Sequence, residues 1–316
     1  MFPEKKILII GYGNIPDNKQ FYQSISDFIL LKPLENIIPE NADYLIAHNF
    51  LTKEFIDFNG SKVFNMWEPL FTINQNNKFN VELDPYSPNM YLYNHPDIKE
   101  RMFYVSIPED RTQLIAKLKK SIKKKRKKFC CAIWRFSLIR KNVATDLIKH
   151  RLSFAMEMGK HIDIYGANNW LKMLNKYTEV KDFISLSNRY KGVSQNKDET
   201  LQKYTFSICF ENSDYNGYIT EKLPQAMMGG TVPLYWGGGN YLEESIPSDC
   251  YINCKNKTPN EIKKMILKMS FKKIIKYRKA AIRFFESSLA DNFTRKKWSN
   301  DIIKKLMKQK EETIIL

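Results

Sequence analysis

The stretch Tyr204–Gly239 reads YTFSICFENSDYNGYITEKLPQAMMGGTVPLYWGGG, and the order of elements inside it decides the fold. Phe206 to Phe210 is a short apolar run with the length and bounds of a buried strand. The turn-prone residues Glu211 to Gly217 follow. Thr220-Glu221-Lys222 then opens a helix whose apolar positions Leu223, Ala226 and Met227 recur at helical spacing, and Gly229-Gly230 ends it. Thr231 to Trp236 reads as a second strand. A strand–loop–helix–strand unit gathers its polar residues at the carboxyl end of a strand, where open α/β sheets bind ligands.

The same alternation extends to both sides. Upstream, Lys6 to Ile10 is a buried strand followed by Gly11-Tyr12-Gly13, which lacks a third glycine and reads as a simple turn. Gln20 to Leu31 has amphipathic helical spacing through Phe21, Ile25, Phe28 and Ile29, and Tyr44 to Ala47 is another strand. Lys62 to Pro69 (KVFNMWEP) runs a strand into Glu68, a pattern that more often marks a solvated loop acid. Arg111 to Lys128 is densely basic, and Leu114, Ile115, Leu118 and Ile122 give it the apolar stripe of a helix and connector. Phe129 to Trp134, His161 to Gly166 and Tyr251 to Asn253 supply further strands; residues 259–285 and Asn300 to Lys310 read as basic amphipathic helices. Strands alternating with helices define doubly wound parallel sheets. The expected division is 1–125, 126–290 and a terminal basic helix at 291–316 that packs on the first domain or on a membrane surface.

Composition sets the outer bounds. With 316 residues, 43% hydrophobic and 27% charged, the chain is globular and long enough for two domains. Its 51 Lys and Arg against 34 Asp and Glu give a formal charge of +17, which points to anionic partners. The five cysteines are odd in number: Cys130 and Cys209 fall in apolar runs, while Cys250 and Cys254 have the spacing to pair or to bind metal but no second ligand pair follows. Inert thiols in a reducing cytoplasm are the expectation. The N-terminus MFPEKKILIIGYG lacks the character of a signal peptide or anchor. No Asp-x-Asp pair is present, so no metal is expected.

Phe210-Glu211-Asn212-Ser213, then Gly217 to Lys222, then Val232 to Gly237 together resemble the signature of the α-1,3/4-fucosyltransferases, glycosyltransferase family ten. Asn188-Arg189-Tyr190-Lys191 resembles the family's Arg-Tyr-Lys element, and Glu100 to Tyr104 its Arg-Met segment; Arg135-Phe136 stands where the family commonly has Ser-Asn, and Arg140 is placed at its downstream Arg. The resemblance implies a GT-B type α/β fold, two Rossmann-like domains facing each other across a cleft, with no required cofactor. It implies transfer of L-fucose, with inversion, from GDP-β-L-fucose to a glycan hydroxyl. Arg189, Asn212, Tyr218, Glu221 and Lys222 would line the donor site, and Glu68 would be the general base. The acceptor would be an N-acetylglucosamine-type oligosaccharide, in surface polysaccharide or lipopolysaccharide synthesis.

The residues make sense of those roles. Near a helix N-terminus Lys222 adds an ammonium where free N–H groups already favour phosphate, and Glu221 can bond donor hydroxyls. A sugar hydroxyl becomes a competent nucleophile only as its proton leaves, which a positioned carboxylate such as Glu68 permits. Because eukaryotic members of the family are membrane-anchored, this N-terminus gives the expectation of a bacterial-type, cytoplasmic enzyme, peripheral on the inner face of the membrane through its basic C-terminus. No nucleic-acid partner is expected. Two alternatives stay open: a transferase of the same fold with another nucleotide sugar or acceptor, and a basic nucleic-acid or membrane-surface binding protein.

Overall fold

A computed structural model describes residues 5–11, 28–31, 43–48, 57–65, 90–93, 106–134, 146–214, 216–298 and 300–301. The chain divides into two compact units: Met1–Val105 with Asn292–Leu316, and Ser106–Asp291.

In the first unit five strands form one parallel sheet: β1 (Lys5–Gly11), β2 (Phe28–Leu31), β3 (Tyr44–His48), β4 (Ser61–Asn65) and β5 (Met90–Tyr93), in the order β2-β1-β3-β4-β5. The register sets Ile7 beside Tyr44, Ile46 beside Val63, and Val63 beside Tyr91. Near-continuous apolar runs such as KILII and YLIA are the sequence pattern of parallel strands. The sequence expectation of a helix over Gln20–Leu31 is corrected at its end. Phe28-Ile29-Leu30-Leu31 pairs with β1 from Lys5 to Leu8 and is a strand. A four-residue apolar run carries no period long enough to separate the two structures. Glu68, Arg101, Arg135, Phe136, Arg140 and, from Ile302 onward, the residues expected to form the terminal helix lie outside the described residues.

The second unit repeats the pattern. Strands β6 (Lys128–Ile133), β7 (Ile162–Tyr165), β8 (Tyr204–Ile208), β9 (Val232–Tyr235) and β10 (Ile252–Asn253) form a parallel sheet in the order β10-β9-β8-β6-β7. Numbered within each unit, both sheets run 2-1-3-4-5, so each changes direction between its first and third strands. That switch point, here β6 and β8, leaves a crevice at the carboxyl ends of the strands.

The helices of this unit are α1 (Thr112–Ser121), α2 (Ile148–Met158), α3 (Trp170–Tyr177), α4 (Val180–Ser187), α5 (Lys197–Leu201), α6 (Lys222–Met228), α7 (Leu242–Ser245), α8 (Pro259–Leu267) and α9 (Phe271–Glu286). The core joins Phe206, Ile208, Val232 and Leu234 of the central strands to Phe154, Ala155 and Met158 of α2 and to Trp170 and Leu174 of α3. Where sequence reasoning set the division near residue 125, it falls before Ser106. The lysine-rich helix α1 buries Leu118 and packs on α9, so it belongs to the second unit while its lysines stay in solvent. All five cysteines are free and buried; Cys250 and Cys254 are not bonded to each other.

Candidate functional site

The chain leaves β8 still paired with its neighbour. The Cys209 amide donates to the Leu234 carbonyl at 2.8 Å, and the Glu211 amide to the Trp236 carbonyl at 2.9 Å. Strand alternation therefore turns the Glu211 side chain inward, where it has 0% exposure. Its Oε1 accepts from the Thr220 amide at 2.8 Å, the Thr220 hydroxyl at 2.9 Å and the Tyr235 hydroxyl at 3.0 Å. Its Oε2 accepts from Lys222 Nζ at 2.8 Å, and the same ammonium reaches Thr220 Oγ1 at 2.7 Å. A buried carboxylate is tolerated because it is paired and fully hydrogen-bonded. Burial, with Glu211 alongside, pushes the Tyr235 phenol well above its ordinary range, so it remains a donor. Gly237 is required here for space: a Cβ would stand 2.4 Å from Glu211 Cγ and 2.9 Å from Tyr235 Oη.

This network fixes both ends of the 211–221 loop. Its middle is tied to the turn after β9, where Asp214 accepts from Trp236 Nε1 and the Gly239 amide, each at 3.1 Å, and pairs with Lys255 at 2.9 Å. The left-handed φ of +76° at Gly238 and +55° at Gly239 shapes that turn.

On the other side of β8, Arg151 of α2 is 2% exposed. Its Nε and Nη2 donate to the Phe210 carbonyl at 3.1 and 2.5 Å, and Nη2 also donates to Asn212 Oδ1 at 2.9 Å. Burial draws its pKa down while Glu211 opposes the shift, and a guanidinium keeps its proton regardless. All its direct hydrogen-bond acceptors are neutral. Because Asn212 Oδ1 accepts from Arg151, the Asn212 amide nitrogen remains to donate elsewhere.

Glu221 immediately precedes α6 and is 30% exposed; Lys197, at the first position of α5, lies 3.8 Å from its Oε1. Burial alone pushes the Glu221 carboxyl up, but Lys222 and then Lys197 outweigh it and hold the group below the ordinary glutamate range. A lysine at the first turn of a helix opposes the helix dipole. The Glu221 partner offsets that opposition.

Of the residues singled out from sequence, the structure brings Asn212, Tyr218, Glu221 and Lys222 together on one loop and helix start, with Tyr218 buried at 7% exposure. Arg189 stands elsewhere. Its backbone carbonyl accepts from the Ile164 amide at 2.9 Å, next to the Ile164–Tyr190 bridge. That puts it three sheet positions from β8, about 14 Å at ordinary strand spacing, with its Nε buried and without an acceptor. Sequence reasoning missed Glu211, Arg151 and Lys197 as site residues. A strand running into an acid was the available signal for Glu211. Lys197 was visible only as the start of a helix. Among the described residues no three His, Cys, Asp or Glu side chains gather as a metal-binding group, and no helix is long and apolar enough to cross a membrane.

At the carboxyl end of β8, beside the switch point, Lys222 and Lys197 flank Glu221 with the buried Arg151 nearby, a grouping that suits an anionic ligand bearing hydroxyls. Comparison with known proteins agrees. The model of the glycosyltransferase family 10 (fucosyltransferase) C-terminal domain matches residues 122–286, more than half of the chain, which therefore belongs to that family. The α-(1,3)-fucosyltransferase FucT of Helicobacter pylori is 35% identical over 80 residues, 25% of this chain and 17% of the relative. The 4-galactosyl-N-acetylglucosaminide 3-α-L-fucosyltransferase 9 of Mus musculus is 31% identical over 119 residues, 37% of this chain and 28% of the relative. The matched segments thus span less than a third of each relative. A solved α1,3-fucosyltransferase with GDP superposes with a TM-score of 0.53 at 15% identity, covering 97% of this chain and 91% of that one. Anabaena Alr3699/HepE in complex with UDP and glucose gives 0.52 at 11% identity, covering 96% and 100%. The fold class is that of GT-B glycosyltransferases.

Proposed function

We propose that this chain is an inverting fucosyltransferase. It moves L-fucose from GDP-β-L-fucose to a hydroxyl of an N-acetylglucosamine-type acceptor in α-1,3 or α-1,4 linkage, for surface polysaccharide or lipopolysaccharide. The carrying observation is the Glu211–Thr220–Lys222 network at the end of β8, built from the blocks that mark family 10. It holds Lys222 where a donor pyrophosphate gains charge as the glycosidic bond breaks, and a fixed donor is most valuable there. Arg151 adds an ionic charge with no acid in contact, and it orients the Asn212 amide. Arg189, three sheet positions from β8, is the second cation this reading assigns to the donor pyrophosphate. Glu221, ionised, bonds the sugar hydroxyls and offsets positive charge on the ring.

In the transfer step the acceptor oxygen bonds to the anomeric carbon from the face opposite the leaving group. The bond from that carbon to the phosphate oxygen breaks, GDP departs, and the acceptor proton passes to the Glu68 carboxylate. The cations that carry the leaving diphosphate are side chains, so the proposal requires no metal. Location in the cytoplasm, on the inner face of the membrane through the basic C-terminus, belongs to the same reading.

The fold does not select the donor, since a fucosyltransferase and a UDP-binding transferase superpose equally well. Incubation with GDP-fucose and a panel of Galβ1-3/4GlcNAc acceptors tests the proposal directly. A product heavier by one deoxyhexose is expected. Transfer only from other nucleotide sugars would refute the donor assignment. Salt-dependent nucleic-acid binding with no saturable GDP binding would refute the enzyme.

A further inference from the structure

At the amino ends of the strands in the second sheet, opposite the edge that holds Lys222, two arginines share one cavity. Arg126 precedes β6, and Arg278 lies within α9 with 4% exposure. Arg278 Nη1 donates to the carbonyls of Ile122 at 3.1 Å and Lys124 at 2.8 Å. Arg126 Nη1 donates to the Gln202 carbonyl at 2.8 Å, and its Nη2 reaches the carbonyls of Gly229 and Gly230 at 3.4 and 3.5 Å. These carbonyls close the ends of α1, α5 and α6, so the two guanidiniums collect three helix C-termini. Each terminus carries at most about half a negative charge, and short helices carry less.

The remaining donors are unmatched. Arg126 Nε, Arg278 Nε and Arg278 Nη2 are buried and have no acceptor. The cavity has a volume of about 10 Å³, and Leu118, Met227, Ala281 and Ile282 lie among its walls with no Asp or Glu. Two cations in a water-poor site without an acid are costly. Burial, and then the nearness of Arg126, push the Arg278 guanidinium down to about 10.

Size and charge together choose the ligand class. A volume of this order holds about one water-sized sphere, too little for phosphate, sulfate or a carboxylate group. A water molecule could donate to the Ser121 and Thr231 hydroxyl oxygens, which also line the cavity, but it would leave both guanidinium charges uncompensated. A monatomic anion accepts from every side and neutralises the excess charge. We propose that this cavity binds one halide-sized anion, chloride under ordinary conditions, held by Arg126 Nε and by Arg278 Nε and Nη2. The bound ion joins α1, α9 and the end of α6. That last helix spans seven residues, about 10 Å, and begins with Lys222, so the ion braces the rear of the helix whose front faces the crevice.

The test uses the intact wild-type chain. Crystals soaked in bromide should show an anomalous peak between Arg126 and Arg278. Thermal unfolding at constant ionic strength, with chloride replacing gluconate, should show a saturable rise in Tm of about 2–4 °C. Gluconate is too large to enter, and general salt exclusion from the surface does not saturate. Arg126→Met, at the more accessible of the two arginines, should abolish the difference between the two salts. The proposal is overturned if no bromide peak appears there, or if wild-type Tm follows both salts alike; an ordered water then fills the cavity.

Discussion

Glu211 Oε2 lies 2.8 Å from Lys222 Nζ, and the carboxylate has no exposure to solvent while the lysine side chain keeps 17%. The two charges cancel in place. A ligand at this edge therefore meets Lys222 as a fixed hydrogen-bond donor with a short remaining reach. Lys197 is likewise offset by Glu221 at 3.8 Å, so among the described residues the one cation of the site without an acid paired to it is Arg151. The position of the lysine is thus inherited from the buried acid behind it.

Removing that acid strands Lys222, Thr220 and the Tyr235 hydroxyl together. Glu211→Ala is expected to lower unfolding stability by about 3–5 kcal/mol, the cost of breaking a buried pair from one side. Urea denaturation of the full chain measures it. A loss below about 1 kcal/mol would mean that the pair contributes nothing to folding.

Lys222→Ala should weaken GDP binding about 10- to 100-fold, the range for one or two charge-assisted hydrogen bonds to phosphate. Calorimetric titration with GDP reads this directly, and unchanged affinity would remove Lys222 from the donor site. Arg189→Ala in the same titration decides whether the ligand reaches that far along the sheet edge; equal affinity to wild type would end its assignment.

Glu221 gives a pH prediction. The groups that face it are Lys222 on its own segment, Thr220 beside it, Lys197 from α5 and, at longer range, Arg151 from α2. Its folded pKa lies below the ordinary 4.5. The stabilisation from its ionised form is therefore complete above about that pH and lost as pH falls through the lower folded value. Lys197→Met removes one of the cations holding it down, so the acid limb of the turnover profile should move to higher pH; Lys197→Arg should restore it. An acid limb identical in all three proteins would separate Lys197 from Glu221.

Glu68→Gln is expected to leave GDP binding intact and to reduce turnover at least about 100-fold, the usual scale for a general base. Normal transfer by this variant would assign proton removal to another group.

The second sheet and its site loop were legible because burial acts on consecutive residues there. Phe206 to Phe210 and Leu223 to Met227 carry their periods openly, and Gly229-Gly230 marks a helix end that the φ of +69° at Gly230 makes physical. Phe28 to Leu31 misled because four apolar residues fit either period until β1 claims them. Arg151 was hidden for another reason. On α2 it reads as one polar position of an amphipathic helix, and its role arises only from Phe210 and Asn212, 59 and 61 residues away in sequence. Glu211 was visible as a letter in a motif, but its complete burial depends on Gly237 leaving room for it.

The cysteines carry a practical consequence. All five lie in the second unit, none above 4% exposure, and burial raises each thiol, Cys209 and Cys250 to about 12. Alkylating reagents need an accessible thiolate, so labelling proceeds only through opening of the surrounding structure. Mass spectrometry of the native chain under a maleimide pulse therefore records the breathing of the second unit alone. The other unit contributes no signal, and no engineered probe is needed to tell the two apart.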